Sequence, residues 1–391
     1  MASLTYRTAG ESHGPAVIAL IDGMPAGLRI DREFIDNELR RRQGGYGRGG
    51  RQRIEHDEAK YLSGVRNGVT TGAPIVMEIV NRDSRLDDPD STPPIHRPRP
   101  GHADLAGSIK WLTHDCRNSL ERASARETAA RTMAGALARC LLREFGIEVF
   151  GFVRGAMDAF TDIVPDASEL EALRSARDDS ELYCPDPEVT EKLRQIIHQA
   201  KVDKDTVGGV MEAHVFGCPI GLGSCVHWDQ KLDARLGGAV MGIQAFKAVE
   251  IGLGRETAAR PGSEVHDPIH YDPDLKGTPC FGFTRSSNNA GGLEGGMTNG
   301  MPVVVSGTMK PISTLLKGLP SVDLKTKEAQ TSDYERSDIS AIAAASVVLE
   351  NVVGFEIAAS FIDKFGGDSM AQLSASYQSW MKQVRALHEQ S

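Results

Sequence analysis

Residues 120–146, LERASARETAARTMAGALARCLLREFG, constrain the fold more than any other stretch of the chain. Met133, Leu137, Leu141 and Phe145 recur every four residues, with Ala130, Ala134 and Cys140 beside them. That spacing predicts one long amphipathic helix. Gly146 falls where a left-handed cap belongs, and Arg143 lies in the last turn, where a cation suits the helix dipole. Ala129, Ala136, Ala138 and Gly135 leave room for a neighbouring element to come close, so the helix should be central. Its leading end carries Ser119, Arg122, Ser124 and Arg126. Free N–H groups, hydroxyls and guanidinium forks together can hold an anion. The alternative is a capped core helix whose arginines are solvated or paired with Glu121 and Glu127.

The chain has 391 residues, is 40% hydrophobic and 25% charged, and carries a net charge of −9. Wholesale nucleic-acid binding is therefore disfavoured, and anion chemistry has to come from local arginine clusters. Six cysteines without a CxxC pair read as free thiols of a cytoplasmic protein. The start, MASLTYRTAGESHG, has no basic-then-apolar leader. The most apolar run, 339–361, is interrupted by Glu350, Asn351 and Glu356, so it reads as a buried helix and not a membrane span.

In chain order, GESHG (10–14) places Ser12 and His13 on a glycine-flanked loop before the strand-like PAVIALID. Asp31 can cap a helix over REFIDNELRRRQ. Residues 40–53 alternate arginine with glycine and read as a mobile cationic loop, bearing Arg42 and Arg48, that closes on phosphate or carboxylate groups. A strand near residues 69–80 precedes an irregular, proline-rich segment ending in RPRPGHAD, which holds His102. A strand is expected at 150–157, a helix at 187–200, a strand at GGVMEAHVFGC, and a glycine-containing helix across 232–252. Residues 286–302, the glycine-dense SSNNAGGLEGGMTNGMP, match neither a Walker nor a Rossmann fingerprint and read as an ordered loop against a ligand. KPIST (310–314) adds a cation and two hydroxyls. RSD precedes the last apolar helix, at whose start Asp338 can act as a cap.

Taken together, GESHG, RRQGGYGRG, RPRPGHAD, LERASARETAAR, MGIQAFKAVEIG, SNNAGGLEGGMTNG, MKPIST and RSD, in that order and with DKFGGD near the end, resemble the chorismate synthase family. Gln52 stands where many relatives carry methionine, and Ser337 is one of the forms the family uses in RSD. The resemblance implies an α+β fold, one large domain over 1–391 with a β-α-β sandwich core, long buried helices and long functional loops. It implies a trans-1,4-elimination of phosphate from 5-enolpyruvylshikimate 3-phosphate, dependent on reduced FMN, with NADPH a possible reductant and no metal. By motif, the flavin contacts would be Arg122, Ala123, Ser124, Gln244, Ala245, Gly295, Lys310, Pro311, Ile312, Ser313, Thr314 and Arg336. Arg42 and Arg48 match positions for phosphorylated ligand or pyridine nucleotide, and His13 and His102 match the two catalytic histidines, with their division of labour left open. Asp338 is expected on the base side of the reaction. A cytoplasmic homotetramer with a small-molecule substrate and neither nucleic acid nor membrane as partner is implied as well.

Two rivals come from other classes. A flavin-dependent reductase would need a nicotinamide site, and no Rossmann fingerprint is present. A non-catalytic anion- or RNA-binding module would interleave aromatics with its arginines, and the GGYGRGG loop offers only Tyr46.

Overall fold

The computed structural model describes residues 3–49, 56–333 and 337–389. Arg51, Gln52, Arg53 and Arg336 lie outside the described residues. Two antiparallel sheets enclose a pair of helices. The first sheet contains β1 (Thr5–Ala9), β2 (Ala16–Asp22), β3 (Lys60–Ser63) and β4 (Ile75–Val80), in spatial order β1-β2-β4-β3. Period-two alternation puts Val17, Ala19 and Ile21 on its inner face, opposite Ile79, Met77 and Ile75. The second sheet contains β5 (Glu148–Ala156), β6 (Ala159–Phe160), β7 (Gly209–Phe216), β8 (Phe246–Ile251) and β9 (Val303–Met309), in order β8-β9-β7-β5-β6.

The helix at residues 120–146 is not continuous. α1 (Arg32–Gln43) comes first, capped by Asp31 as its sequence predicts, and α2 (Asp104–Lys110) follows the proline-rich segment. α3 (Arg117–Ala123) then stops at Ser124, whose ψ of 145° is extended; a 3₁₀ turn follows before α4 (Thr128–Arg143). Ser124 caps that turn by accepting from the Arg126 N–H. Gly146 does take the left-handed conformation, φ +69°. α4 is buried on nearly every side, because it packs the first sheet on one face and the last apolar helix on the other.

α5 (Leu170–Asp179) and α6 (Pro187–Val202) follow β6. α7 (Leu232–Met241) is shorter than its sequence suggests: the expected helix across 232–252 ends at Met241, and Phe246 onward forms β8. The β-branched Val249 and Ile251 and the partners offered by β9 outweigh the helical spacing. α8 (Ile342–Phe365) lies against α4 and the second sheet, giving the β-α-β sandwich, and α9 (Met370–Glu389) closes the chain. α8 is long and apolar enough to cross a membrane, but 94% of its apolar window is buried inside the protein. At the α4–α8 crossing a Cβ on Gly135 would lie 2.2 Å from the Asn351 carbonyl oxygen, so only glycine permits this approach. One hydrophobic cluster runs from Leu4 to Met381 through both sheets.

Candidate functional site

Seven parts of the chain meet around a cavity of about 420 Å³, a size typical of small-molecule sites. The β1–β2 turn brings Ser12 and His13; the end of α1 brings Arg42; the following loop brings Arg48. The proline-rich segment brings Arg99 and His102. The break between α3 and α4 brings Ala123, Ser124 and Arg126, and the α7–β8 turn brings Gln244 and Ala245. Lys310, Ile312, Ser313 and Thr314 follow β9, and Asp338 precedes α8. The break at Ser124 therefore has a use: it turns residues 123–126 towards the cavity, and Ser124 Oγ donates to Ser12 Oγ at 3.2 Å.

Both histidines are oriented in the same way. His13 Nδ1 lies 2.9 Å from Glu121 Oε2 and His102 Nδ1 lies 2.5 Å from Asp104 Oδ1, both carboxylates being fully buried. A carboxylate can only accept, so Nδ1 of His13 carries the proton and its Nε2 is left for chemistry; His102 Nδ1 meets Arg99 Nη2 at 3.0 Å as well as Asp104, and the shorter carboxylate contact favours the same tautomer there. Burial pushes the Asp104 carboxyl up, but hydrogen bonds from His102 and Arg99 overcome it and hold the group well below the usual carboxylate range. In Glu121 burial likewise raises the carboxyl, but the hydrogen bonds and charge of His13 together with Arg117 outweigh it, and the net shift is downward.

Charge around the cavity is lopsided. Among the described residues, Arg42, Arg48, Arg99, Arg126 and Lys310 line it against one lining carboxylate, Asp338. Burial lowers the Arg42 pKa to about 9, with Asp57 opposing and Arg126 and Arg48 adding to the fall. Burial also lowers Lys310, helped by Lys247. Such a set of buried and half-buried cations is stabilised by an anionic ligand.

Not every expected contact faces the cavity. Arg122 donates to the carbonyls of Thr8 and Gly10, clasping the GESHG loop from behind. Pro311 is exposed, and Gly295, in the turn of a small hairpin, is not among the lining residues. Arg40, Arg41 and Arg42 belong to α1 and not to a mobile loop. Asp338 does not cap α8, whose first turn has no side-chain cap. Instead its carboxylate accepts from Arg48 Nη1 at 2.8 Å and from the Gly49 N–H at 2.5 Å. Glu121, Asp104 and Asp57 were not singled out as site residues from the sequence. Asp104, two residues after His102, could have been; Glu121, 108 residues from His13, carries no local signal.

Two carboxylate-oriented imidazoles beside several cations in one small-molecule-sized cavity are the arrangement of an enzyme site. The description "Chorismate synthase" belongs to the family model that matches residues 4–362. A chorismate synthase of Desulforamulus reducens is 50% identical over 391 residues, covering 98% of this chain and 99% of the relative. One from Geobacter sulfurreducens is 50% identical over 395 residues, covering 98% and 100%. A solved structure described as a crystal structure of chorismate synthase superimposes with a TM-score of 0.79 at 38% identity, covering 99% of each chain. The chain belongs to the chorismate synthase family, carbon–oxygen lyases of aromatic amino-acid biosynthesis.

Proposed function

We propose that this cavity carries out the trans-1,4-elimination of phosphate from 5-enolpyruvylshikimate 3-phosphate, with reduced FMN bound beside the substrate. The observation that supports this most is the meeting of His13, His102 and five cations in one cavity. Arg42, Arg48 and Arg126 match a substrate bearing one phosphate and two carboxylates. A flavin fits the donor set: the buried Gln244 Oε1 and Arg48 Nε have no hydrogen-bond partner among the described residues, and Lys310 has no carboxylate partner there. Ala123, Ser124, Gln244, Ala245, Lys310, Ile312, Ser313 and Thr314 would hold it, with Arg122, Pro311, Gly295 and Arg336 as flanking candidates. When bound, reduced flavin supplies electron density to the reacting carbon framework.

The chain's own residues supply orientation and proton handling. Arg99 Nη1 donates to Thr314 Oγ1 at 2.9 Å and Nε to Asp104 at 2.8 Å, tying His102 to the segment proposed for the flavin. We therefore assign His102 to the flavin side and His13 to the leaving phosphate, where an imidazolium Nε2–H can donate as negative charge develops. Asp338 serves the base side, with Arg48 and the Gly49 N–H both donating to it. The assembly proposed is a cytoplasmic homotetramer of a single catalytic domain spanning residues 1–391.

Anaerobic assay of the purified protein with reduced FMN tests the reading. Stoichiometric release of inorganic phosphate and chorismate supports it; flavin oxidation coupled to reduction of a substrate would place the chain with the reductases instead. The same assay with NADPH as sole reductant decides whether Arg42 and Arg48 serve a pyridine nucleotide.

A further inference from the structure

His13 has a carboxylate on each edge, hydrogen-bonded on one and at ion-pair distance on the other. While Glu121 takes Nδ1, Asp83 Oδ2 stands 3.6 Å from Nε2, the nitrogen on which proton donation depends. Asp83 belongs to a strap, residues 81–86, that is fastened to the GESHG loop at several points. The Arg85 and Leu86 N–H groups both donate to the His13 carbonyl, at 2.9 and 3.0 Å. Asn81 donates from its side chain to the carbonyls of Glu11 and Gly14 and from its backbone to that of Pro15. Arg126 Nε, from the cavity, donates in turn to Asn81 Oδ1 at 2.8 Å. So the backbone on either side of Asp83 is tied to the His13 loop. The other oxygen of Asp83 lies 3.0 Å from Arg85 Nε, on the more exposed side of the strap.

We propose that Asp83 is a displaceable positioning residue. It stands at the Nε2 edge of His13 and gives that edge up to the leaving phosphate of the substrate. A phosphate oxygen at hydrogen-bond distance from Nε2 would share that edge with the carboxylate, and two anions cannot both be held closely by one imidazolium. Arg85 already holds the far oxygen and is placed to retain the carboxylate when it moves aside. Asp83 thereby sets phosphate affinity without itself touching the reacting atoms. Strong binding of phosphate, a product, would slow turnover, and a competing carboxylate weakens it.

The inference rests on His13 being the partner of phosphate, so its test separates the two. Inorganic phosphate is titrated into full-length protein at low ionic strength and followed by ³¹P nuclear magnetic resonance, which needs neither flavin nor turnover. Asp83→Asn is expected to bind phosphate ~3–10-fold more tightly than the unaltered protein, a gain that shrinks at high salt. Asp83→Glu, which restores the charge, is expected to return affinity close to the starting value. His13→Gln should bind more weakly, and adding Asp83→Asn to it should bring no gain. If His13→Gln binds phosphate as well as the unaltered protein, the reading of His13 fails and the inference fails with it. If His13→Gln weakens binding while Asp83→Asn leaves it unchanged or weaker, His13 stands and the displaceable partner is overturned.

Discussion

Arg41 and Arg42 are neighbours on the last turn of α1, both buried, and they meet opposite surroundings. Arg41 points into the core. Its Nη1 donates to Glu38 at 2.7 Å and Glu350 at 3.0 Å, and Arg139 and Arg177 complete a knot around the same two carboxylates. Burial works against the Arg41 charge, but Glu38 and Glu350 more than restore it, and the net shift is upward. Arg42 points to the cavity, donating to Thr128 Oγ1 and the Ala125 carbonyl, with Asp57 only at 3.5 Å and shared with Arg126. Its shift is downward. Two arginines one residue apart thus separate structure from function by how completely carboxylates match them. A matched buried cation holds the fold; an under-matched one awaits an anion.

The largest effects should fall on the cavity side. His102→Gln is expected to lower turnover by ~10²–10⁴-fold, the usual worth of a general acid, with a near-native melting temperature. Comparable turnover with flavin still bound would remove His102 from the chemistry. On the core side, Glu38→Gln should cost about 3–5 kcal/mol in urea denaturation, because Arg41 and Arg139 then share too little negative charge. The same variant has a pH signature. Burial raises the Glu38 pKa, but Arg139, Arg41 and Arg177 overcome it and the net shift is strongly downward. Its contribution is therefore fully present above the unfolded value of about 4.3 and lost as pH falls towards the lower folded value. The urea midpoint of the unaltered protein should drop over that acid window, and less steeply in Glu38→Gln.

Smaller and more discriminating is Asp338→Asn. As a base, Asp338 predicts turnover down by roughly 10²-fold with stability retained. As a latch for the loop bearing Arg48, it predicts faster hydrogen exchange over residues 44–49 and turnover within a few-fold. Both signatures together would mean that one carboxylate serves both tasks. Binding of substrate with FMN should increase protection across the same residues, since ordering a glycine-rich loop must be offset by contacts with the ligand.

Local chemistry made much of this legible in the sequence. The GESHG loop with the strand after it, the Asp31 cap and the buried α8 each follow from a few adjacent residues. The break at Ser124 had a signal that the strong four-residue spacing obscured. Ser124 and Glu127 stand three apart, the pattern of a helix start, inside what reads as one helix. The arginine run was misread for a related reason: charge suggests a solvated loop, but Arg41 and Arg42 are buried because partners 309 and 86 residues away receive them. No local pattern reports such pairings, nor that of Asp338 with Arg48. Most of the quoted motifs meet around the cavity, while Glu121, which orients His13, emerged only from packing.

The contrast between Arg41 and Arg42 is tested most directly by melting Arg41→Met and Arg42→Met side by side, with and without the substrate and FMN. Arg41→Met should melt well below the unaltered protein yet keep most of the ligand-induced rise in melting temperature. Arg42→Met should melt within a few degrees of the unaltered protein and lose most of that rise, since its partner Asp57 still has Arg126. Equal destabilisation of both, with the ligand-induced rise preserved in each, would contradict the division of the two arginines between fold and function.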